Sequence, residues 1–369
     1  MKRKKRVAIV FGGQSTEHEV SLKSATTIIS NINKERYDLV LVGITKKGQW
    51  LLYEGSVDNI ASGEWENIAI NNYKRMKVLN KHINSVRDIF YKIGAETDDN
   101  PIDVAILAVH GNNCEDGTLQ GVLELSGIPY VGPGVLASSV CMDKVFAKIM
   151  FEKEGLPVCK YLYFMRDYIK NNESEVISKV KDYLGYPCFV KPANAGSSVG
   201  VSKAYNDDEL KKAFIEAALY DKKILVEEFV DAREIECAVL GNDDPKVAVV
   251  GEAISGGDFY DYDSKYKSQE SRTEIPANID KDKSDLIREY AKRAFLALNC
   301  EGLSRVDFFV KKKTGDIFIN EINTLPGFTN ISMYPMMWEK TGLSLENLID
   351  KLIELSVERF EKGKKRIVR

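Results

Sequence analysis

Two stretches decide the fold: GLSRVDFFV at residues 302–310 and DIFINEINTLPG at residues 316–327. In both stretches apolar and polar side chains alternate, which is typical of strands with two distinct faces, and the polar residues between them predict a turn. Because side chains in a strand repeat every two residues, Arg305 leaves the same face as Asp307. The same spacing predicts a polar face on the returning strand, so the two stretches predict a hairpin.

The polar face of this hairpin suits a metal ion. Asp307, Glu321 and Asn323 offer hard oxygen ligands of the kind that Mg²⁺ shared with substrate phosphates prefers. For any one of these residues alone, an ordinary solvated strand face is an equal alternative. Arg305 nearby and a backbone N–H at Gly327, however, complete a set that stabilises negative charge on a transferred phosphoryl or acyl group.

Length and composition predict a globular protein of two or three domains. The chain has 369 residues, of which 44% are hydrophobic and 29% charged, with a net charge of −3. This charge predicts no nucleic-acid or anionic-membrane partner, and no apolar run reaches the roughly 18 residues of a membrane span. The six scattered cysteines favour reduced, buried thiols in a cytoplasmic protein, with Cys114 as an exception in a polar loop.

The first part of the chain predicts a parallel sheet with helices on its faces. Residues 7–11, 39–44 and 104–109 predict strands, with an amphipathic helix after the first. Ligands bind beyond the carboxyl ends of such strands, where Glu17 and His110 both fall. On the residues alone, Glu17 fits a favourable first-turn acid, and His110 fits a structural role as well as a ligand-facing one.

The later part of the chain predicts a phosphate-covering loop and a lid. Lys191 ends an apolar strand before the small-residue loop at 193–200, which suits phosphates, although such a loop alone is usually a linker. Residues 251–276 form a long aromatic-rich segment that predicts a lid. We also predict a strand with a turn at 128–134 and one helix over 135–155.

These motifs together resemble the ATP-grasp superfamily and, within it, the D-alanine–D-alanine ligase family. The resemblance covers the chain from about residue 11 to about residue 358. It rests on GGQSTEHEVSL (12–22), HGNNCEDGT (110–118), MDK (142–144), KPANAGSSVG (191–200), YDYDSKY (260–266), SRVD (304–307) and NEINTLPGFTNIS (320–332).

The resemblance implies an α/β fold with three-domain ATP-grasp architecture. We expect an N-terminal Rossmann-like domain over residues 1–135, a central ATP-grasp subdomain over 136–229, and a C-terminal ATP-grasp subdomain over 230–369 with the lid and the metal site. The implied reaction joins two D-alanines to D-alanyl-D-alanine through a D-alanyl phosphate, at the expense of ATP, for peptidoglycan precursors. The resemblance also suggests a cytoplasmic homodimer that acts on small molecules.

Roles for individual residues follow from the same resemblance. Glu17 would hold the ammonium of the first D-alanine, with Ser197 and Tyr266 linking it to the lid, while Arg305 and the N–H of Gly327 would stabilise the oxyanion. The residues implied for the nucleotide are Lys144, Lys191, Ser198, Glu227, Val230, Glu234 and Phe259. Two Mg²⁺ ions, or Mn²⁺, would be held by Asp307, Glu321 and Asn323. The second substrate would meet His110, Lys265, Ser332 and Met333.

Three alternatives and one departure accompany this interpretation. A D-alanine:D-serine or D-lactate ligase is the first alternative; the pair Lys265 and Tyr266 argues against lactate, and the apolar Met333 beside Ser332 favours D-alanine. A module without catalysis would have lost Glu321. A nicotinamide oxidoreductase would carry a Gly-x-Gly-x-x-Gly turn.

The departure is Cys114, which stands where the family usually has glycine. We expect strain there if that position needs a positive φ.

Overall fold

A computed structural model describes residues 3–75, 90, 97, 99–254 and 272–364. Its strands are β1 (Lys5–Gly12), β2 (Tyr37–Ile44), β3 (Trp50–Tyr53), β4 (Val104–Val109), β5 (Tyr161–Met165), β6 (Cys188–Pro192), β7 (Ser202–Ala204), β8 (Lys223–Glu228), β9 (Ala232–Gly241), β10 (Lys246–Ile254), β11 (Arg272–Glu274), β12 (Gly302–Lys311) and β13 (Ile317–Asn323). Its helices are α1 (His18–Asn31), α2 (Asp58–Ser62), α3 (Trp65–Arg75), α4 (Thr118–Ser126), α5 (Val135–Met142), α6 (Lys144–Lys153), α7 (Arg166–Asn171), α8 (Glu173–Tyr183), α9 (Asp207–Ala217), α10 (Lys281–Ala297), α11 (Met333–Thr341) and α12 (Leu345–Lys364).

The first sheet has the order β3-β2-β1-β4. Strand β1 runs parallel to both β2 and β4, which confirms the parallel sheet that the sequence predicts, whereas β3 is an antiparallel edge strand. Helix α1 covers the sheet because Leu22, Ala25, Ile28 and Ile29 recur at helical spacing and are all buried. The carboxyl ends of β1 and β4 therefore lie side by side, and the segments after them begin the candidate site.

The other two sheets are antiparallel. Their strand orders are β5-β8-β6-β7 and β11-β10-β9-β12-β13. The predicted hairpin is confirmed, since β12 pairs antiparallel with β13, Arg305 faces Asn323, and Asp307 faces Glu321. Helix α10 packs on this sheet through Ile287, Ala291 and other buried residues. The polar face of the hairpin is thereby left to the side away from α10.

The terminal helix α12 packs far from its neighbours in sequence. Its residues Leu348, Ile349 and Leu352 share one buried cluster with Ile9 of β1 and Ile106 of β4. At the other end of the helix, Arg359 Nη2 donates to the Tyr130 carbonyl over 3.1 Å. The last helix therefore ties the third sheet to the first.

Two predicted elements are wrong. Residues 135–155 form two helices, because Asp143 leaves the helical region at φ −85° and ψ 99°, where its Oδ1 accepts from the N–H groups of Val145 and Phe146. Residues 128–134 contribute only an isolated bridge between Tyr130 and Ala105 instead of a strand.

The predicted lid segment is partly regular structure. Its first residues continue β10 to Ile254, and Arg272–Glu274 form β11 on the same sheet. Residues 255–271, including Phe259, Lys265 and Tyr266, lie outside the described residues. Among the described helices, none is both long and apolar enough to cross a membrane.

The cysteine prediction is confirmed in its main part and wrong for Cys114. All six cysteines are free and buried, Cys114 included. The expected strain at Cys114 is also absent, because Cys114 does not have a positive φ; in this loop Gly111, Gly117 and its neighbour Asn113, at φ 62°, do. Asparagine tolerates the left-handed region better than most side chains do.

The close approach of β2 to α3 gives a test of the packing of the first sheet. A Cβ at Gly43 would overlap the ring of Trp65, which is fully buried among Phe11, Tyr53 and His18. We expect Gly43→Ala to lower the free energy of unfolding by about 1–3 kcal/mol in urea denaturation, as overpacking does. Gly121→Ala is the control.

Gly121 lies within α4 and has no heavy atom within 4 Å of an added Cβ. We expect Gly121→Ala to leave stability unchanged or to raise it by up to about 1 kcal/mol. Equal stability of Gly43→Ala and the wild type would contradict the packing described here.

Candidate active site

A polar cleft opens between the carboxyl ends of β1 and β4, the loop after β6, and the polar face of the hairpin. The predicted site residues that line it are Glu17, His110, Lys144, Lys191, Ser197, Ser198, Glu234, Arg305, Asp307, Glu321, Asn323 and Gly327. A second cleft adjoins the first and shares Lys191, Glu234 and Phe309 with it; Glu227 and Val230 line this second cleft. Sequence positions up to 310 apart therefore meet in one place.

Two predicted substrate residues are not in this lining. Ser332 lies at the end of the loop that carries Gly327, where its Oγ accepts from the Thr329 N–H over 2.9 Å. Met333 is buried in the apolar cluster of the first sheet and α12, close to Gly251. The described residues thus place Met333 in the core beside the site, and its role in substrate choice stays a prediction.

Glu17 is held at the end of the cleft with one oxygen unused. Its Oε1 accepts from Ser197 Oγ, while Oε2 is buried without a hydrogen-bond partner in the described part of the chain. A Cβ on Gly196 or on Gly111 would lie 2.6 Å or 2.9 Å from Oε2, so a larger residue at either position would collide with this oxygen. A buried acceptor of this kind suits a cationic donor such as an ammonium group.

The loop after β6 has an uncommon backbone. Ser197 and Ser198 adopt positive φ values of 49° and 57°, in the left-handed region that residues other than glycine rarely enter. Such conformations persist where the surroundings enforce them, and they concentrate at ligand sites. The loop contacts Glu17 through Ser197 Oγ, and Ser197 and Ser198 also line the cleft.

His110 is a neutral, oriented side chain. Its Nδ1 lies 2.9 Å from the Leu325 carbonyl, and its Nε2 lies 3.1 Å from Ser24 Oγ. Because a carbonyl can only accept, Nδ1 carries the proton and Nε2 accepts from the serine hydroxyl. Burial lowers the pKa of the imidazole, which outweighs the opposing charge of Glu17. His110 thereby fixes the loop that leads to Gly327.

Arg305 is the central charge of the cleft. Its Nε and Nη2 donate to the two carboxylate oxygens of Asp307 over 2.7 Å and 2.6 Å, and Nε also lies 3.0 Å from Glu236 Oε2. Burial by itself would lower the pKa of this guanidinium, but Asp307 and Glu236 raise it well above its usual value. Arg305 is therefore a fixed cation, and its Nη1 hydrogens are not used by these contacts.

Two lysines reach the cleft from different elements. Lys144 Nζ donates to the Ala195 carbonyl over 2.7 Å and lies 3.4 Å from Glu321 Oε2. Lys191 Nζ lies 2.5 Å from Glu227 Oε2. These two ammonium groups give the cleft the positive charge that phosphate groups require.

The hairpin residues fit Mg²⁺ that arrives with a polyphosphate. Asp307 Oδ2 also accepts from Asn323 Nδ2 over 3.0 Å, and Glu321 lies opposite Asp307 in register. Within the described residues, no three His, Cys, Asp or Glu side chains form a complete metal site. Two carboxylates and one amide supply too few ligands for a protein-only site, but they suit an ion that keeps phosphate oxygens and water in its shell.

The sequence interpretation missed four residues of the site. Glu115 lines the cleft, Glu236 pairs with Arg305, Phe309 lines both clefts, and Lys148 is buried against Glu227. Phe309 and Glu236 could have been found, since strand alternation puts them on the faces of Asp307 and Glu234. Lys148 follows Val145 at helical spacing on the buried stripe of α6, which is the signal for an enclosed lysine.

Comparisons with known proteins agree over almost the whole chain. The family model “D-ala D-ala ligase N-terminus” matches residues 6–133, and “D-ala D-ala ligase C-terminus” matches residues 150–354. The D-alanine–D-alanine ligase of Acetivibrio thermocellus is 53% identical, over 97% of each chain. That of Ruminiclostridium cellulolyticum is 54% identical, over 97% of this chain and 96% of the relative.

Solved structures show the same fold. The VanG D-Ala:D-Ser ligase of Enterococcus faecalis has a TM-score of 0.82 at 38% identity, covering 96% of this chain and 100% of that one. The D-alanine–D-alanine ligase of Coxiella burnetii has a TM-score of 0.78 at 32% identity, covering 98% of this chain and 96% of that one.

The ionisation of Glu115 gives a test of the electrostatics of the cleft. Burial, followed by the charge of Glu17, raises the pKa of the Glu115 carboxyl from 4.5 to about 8. Folding therefore takes up a proton between these pH values, and the free energy of unfolding falls as pH rises through them, by at most about 1.4 kcal/mol per pH unit. We expect Glu115→Gln to remove this fall.

The measurement is urea unfolding at pH 5, 6, 7 and 8 without nucleotide or metal. The exposed Glu216 on α9 supplies the control, because Glu216→Gln should keep the wild-type slope. Parallel stability profiles of Glu115→Gln and the wild type would show that Glu115 titrates normally.

Proposed function

The chain belongs to the D-alanine–D-alanine ligase family, and on that premise we propose that it uses ATP to join two D-alanines into D-alanyl-D-alanine. One observation carries the proposal for these residues. Glu17, whose Oε2 has no hydrogen-bond partner among the described residues, lines the same cleft as Lys144, Lys191 and Arg305. An amino acid held there by its ammonium group would extend its own carboxylate toward a bound phosphate.

The first step makes an acyl phosphate. A carboxylate oxygen of the first D-alanine attacks the γ-phosphorus of ATP, the bond from that phosphorus to the β–γ bridging oxygen breaks, and ADP leaves. Lys144 and Lys191 would hold the phosphates, with Ser198 in the loop above them and Glu17 fixing the ammonium. Holding both reactants in one cleft replaces a bimolecular encounter with an oriented one.

The second step forms the peptide bond. The neutral amine of the second D-alanine attacks the acyl carbon, and the tetrahedral intermediate expels phosphate while the amine loses its proton. Arg305 and the N–H of Gly327 would stabilise the oxyanion, because fixed donors in a cleft shielded from water need no reorganisation. Ser332 and Lys265 would receive the carboxylate of the second D-alanine, and His110 would hold the adjacent loop.

Mg²⁺ bound by Asp307, Glu321 and Asn323 would neutralise charge on the phosphate oxygens. The second cleft would take the nucleoside, with Glu227 and Val230 on one side and Glu234 at the junction with the phosphates. Phe309 offers an apolar surface between the two clefts. Phe259, Ser197 and Tyr266 would complete the enclosure of the nucleotide and the first D-alanine.

We infer a homodimer of three-domain subunits that works in the cytoplasm on peptidoglycan precursors. The boundaries near residues 135 and 229 are supported by the separation of the three sheets along the chain. D-serine as the second substrate is the other candidate, and the likeness to the VanG D-Ala:D-Ser ligase favours testing it. The curated relatives above 50% identity support D-alanine.

An assay of phosphate release tests the proposed reaction. The protein is given ATP, Mg²⁺ and D-alanine, with D-serine or D-lactate added in competition, and the products are separated by mass. We expect D-alanyl-D-alanine to predominate. A mixed dipeptide or a depsipeptide would overturn the choice of second substrate, and an absence of phosphate release would overturn the proposed activity.

The metal assignment is tested by Glu321→Gln. The substitution removes one carboxylate ligand and keeps the size of the side chain, so we expect turnover at saturating Mg²⁺ to fall by at least about 100-fold. The exposed Glu339 on α11 supplies the control, since Glu339→Gln should retain full activity. Turnover of Glu321→Gln near the wild-type rate would refute the assignment.

A further inference from the structure

A buried carboxylate is shared by two lysines at the junction of the central sheet and α6. Glu227, 3% exposed, lies with Oε1 2.6 Å from Lys148 Nζ and with Oε2 2.5 Å from Lys191 Nζ. The three residues come from β8, α6 and β6 in that order. This trio carries one more positive than negative charge, which is unusual for so enclosed a place.

The two lysines differ in what they can reach. The Lys191 side chain is 13% exposed and lines both clefts. Lys148 is 1% exposed, lines neither cleft, and has its Nζ 5.8 Å from the centre of the Tyr161 ring. A ligand in the cleft can therefore contact Lys191 but not Lys148.

The charge balance of the trio changes when phosphate arrives. If Lys191 turns toward a phosphate, as proposed above, it gives up part or all of its contact with Glu227. If Lys191 were the only partner of Glu227, this loss would strongly destabilise the buried carboxylate, because the desolvation of its charge would no longer be compensated. Lys148 prevents that destabilisation, since it stays against Oε1 whatever Lys191 does.

We propose that Lys148 is a positioning residue for nucleotide binding: it is the permanent counter-ion of Glu227, which leaves Lys191 free to exchange Glu227 for a phosphate. The inference rests on the proposed function only in that a nucleotide must occupy the cleft. Lys148 touches neither the nucleotide nor the amino acids. Its effect is therefore on the affinity for phosphate-bearing nucleotides.

The ionisation of Glu227 agrees with this role. Burial by itself would raise the pKa of the carboxyl, but Lys148 and Lys191 lower it to about 2. Glu227 is then a pure acceptor at neutral pH, able to take a hydrogen bond from an exocyclic amino group such as that of adenine. Lys148 keeps that acceptor in place and charged while Lys191 is engaged elsewhere.

The test is a double-mutant cycle on ADP binding, measured by titration calorimetry with Mg²⁺. Lys148→Met keeps an unbranched side chain of similar length and removes the charge, and we expect it to weaken ADP binding by roughly 30-fold or more. In a Glu227→Gln background there is no carboxylate to compensate, so Lys148→Met should then change ADP affinity by less than about 3-fold. Lys153→Met, at an exposed position of α6, is the matched control and should leave ADP affinity unchanged.

Kinetics separate this role from a loss of structure. For Lys148→Met we expect a raised KM for ATP, with kcat and the KM for D-alanine within about 3-fold of the wild type. Circular dichroism and urea unfolding check that the variant is folded. Lys148→Gln is a second neutral variant, able to donate one hydrogen bond to Glu227, and should weaken ADP binding to a smaller extent.

Three results would overturn the inference: unchanged ADP affinity in folded Lys148→Met, an equal loss with and without the Glu227 carboxylate, or a fall in kcat with KM for ATP unchanged. Failure of the wild-type protein to bind ADP at all is a different result. It would refute the proposed function, whereas the three results above would leave that function in place.

Discussion

Arg305 is a permanent cation enclosed in the middle of a sheet, and the site depends on keeping it compensated. Asp307 lies two residues along the same strand, and Glu236 reaches it from β9. A one-residue slip of β9 would turn Glu236 to the opposite face and leave the guanidinium with Asp307 as its remaining acid of this pair. The register of β9 against β12 is thus favoured by charge as well as by apolar packing. The register of β12 against β13 presents Glu321 and Asn323 beside Asp307.

Glu227 is a second enclosed charge, and like Arg305 it is held by side chains of opposite charge, but from a different arrangement of elements. Around Arg305 the acids lie on its own strand and on the neighbouring strand β9, whereas around Glu227 one lysine lies on the neighbouring strand β6 and the other on helix α6. The first arrangement holds its members in a fixed geometry. In the second arrangement one lysine, Lys148, is enclosed, and the other, Lys191, lines the cleft. In both arrangements each enclosed charge has a partner of opposite sign, which is the condition for a polar site inside a folded chain.

The parts of the structure that could be predicted from the sequence are those set by the regular spacing of apolar side chains along one strand or one helix. Strand alternation was enough for the hairpin and its polar face, whereas the pairing of Asp307 with Glu321 comes from the structure. The parallel order of β1 and β4 followed from the alternation of strands and helices. The break at Asp143 was missed because a side-chain cap competed with a continuous apolar pattern. The burial of Cys114 was missed because it is covered by residues distant in sequence, which no local pattern reports, whereas the burial of Lys148 was missed although it lies on the buried stripe of α6.

The packing of α12 also has a consequence for how the protein is made. The apolar face of β1 and β4, including Ile9 and Ile106, is covered by residues of α12 that lie more than 240 positions later in the chain. During translation the first sheet therefore leaves the ribosome long before α12 exists. Until α12 emerges, the part of that apolar surface that α1 does not cover is open to solvent and to other nascent chains. Emergence of α12, rather than emergence of the proposed catalytic residues, is thus the event that completes this part of the core.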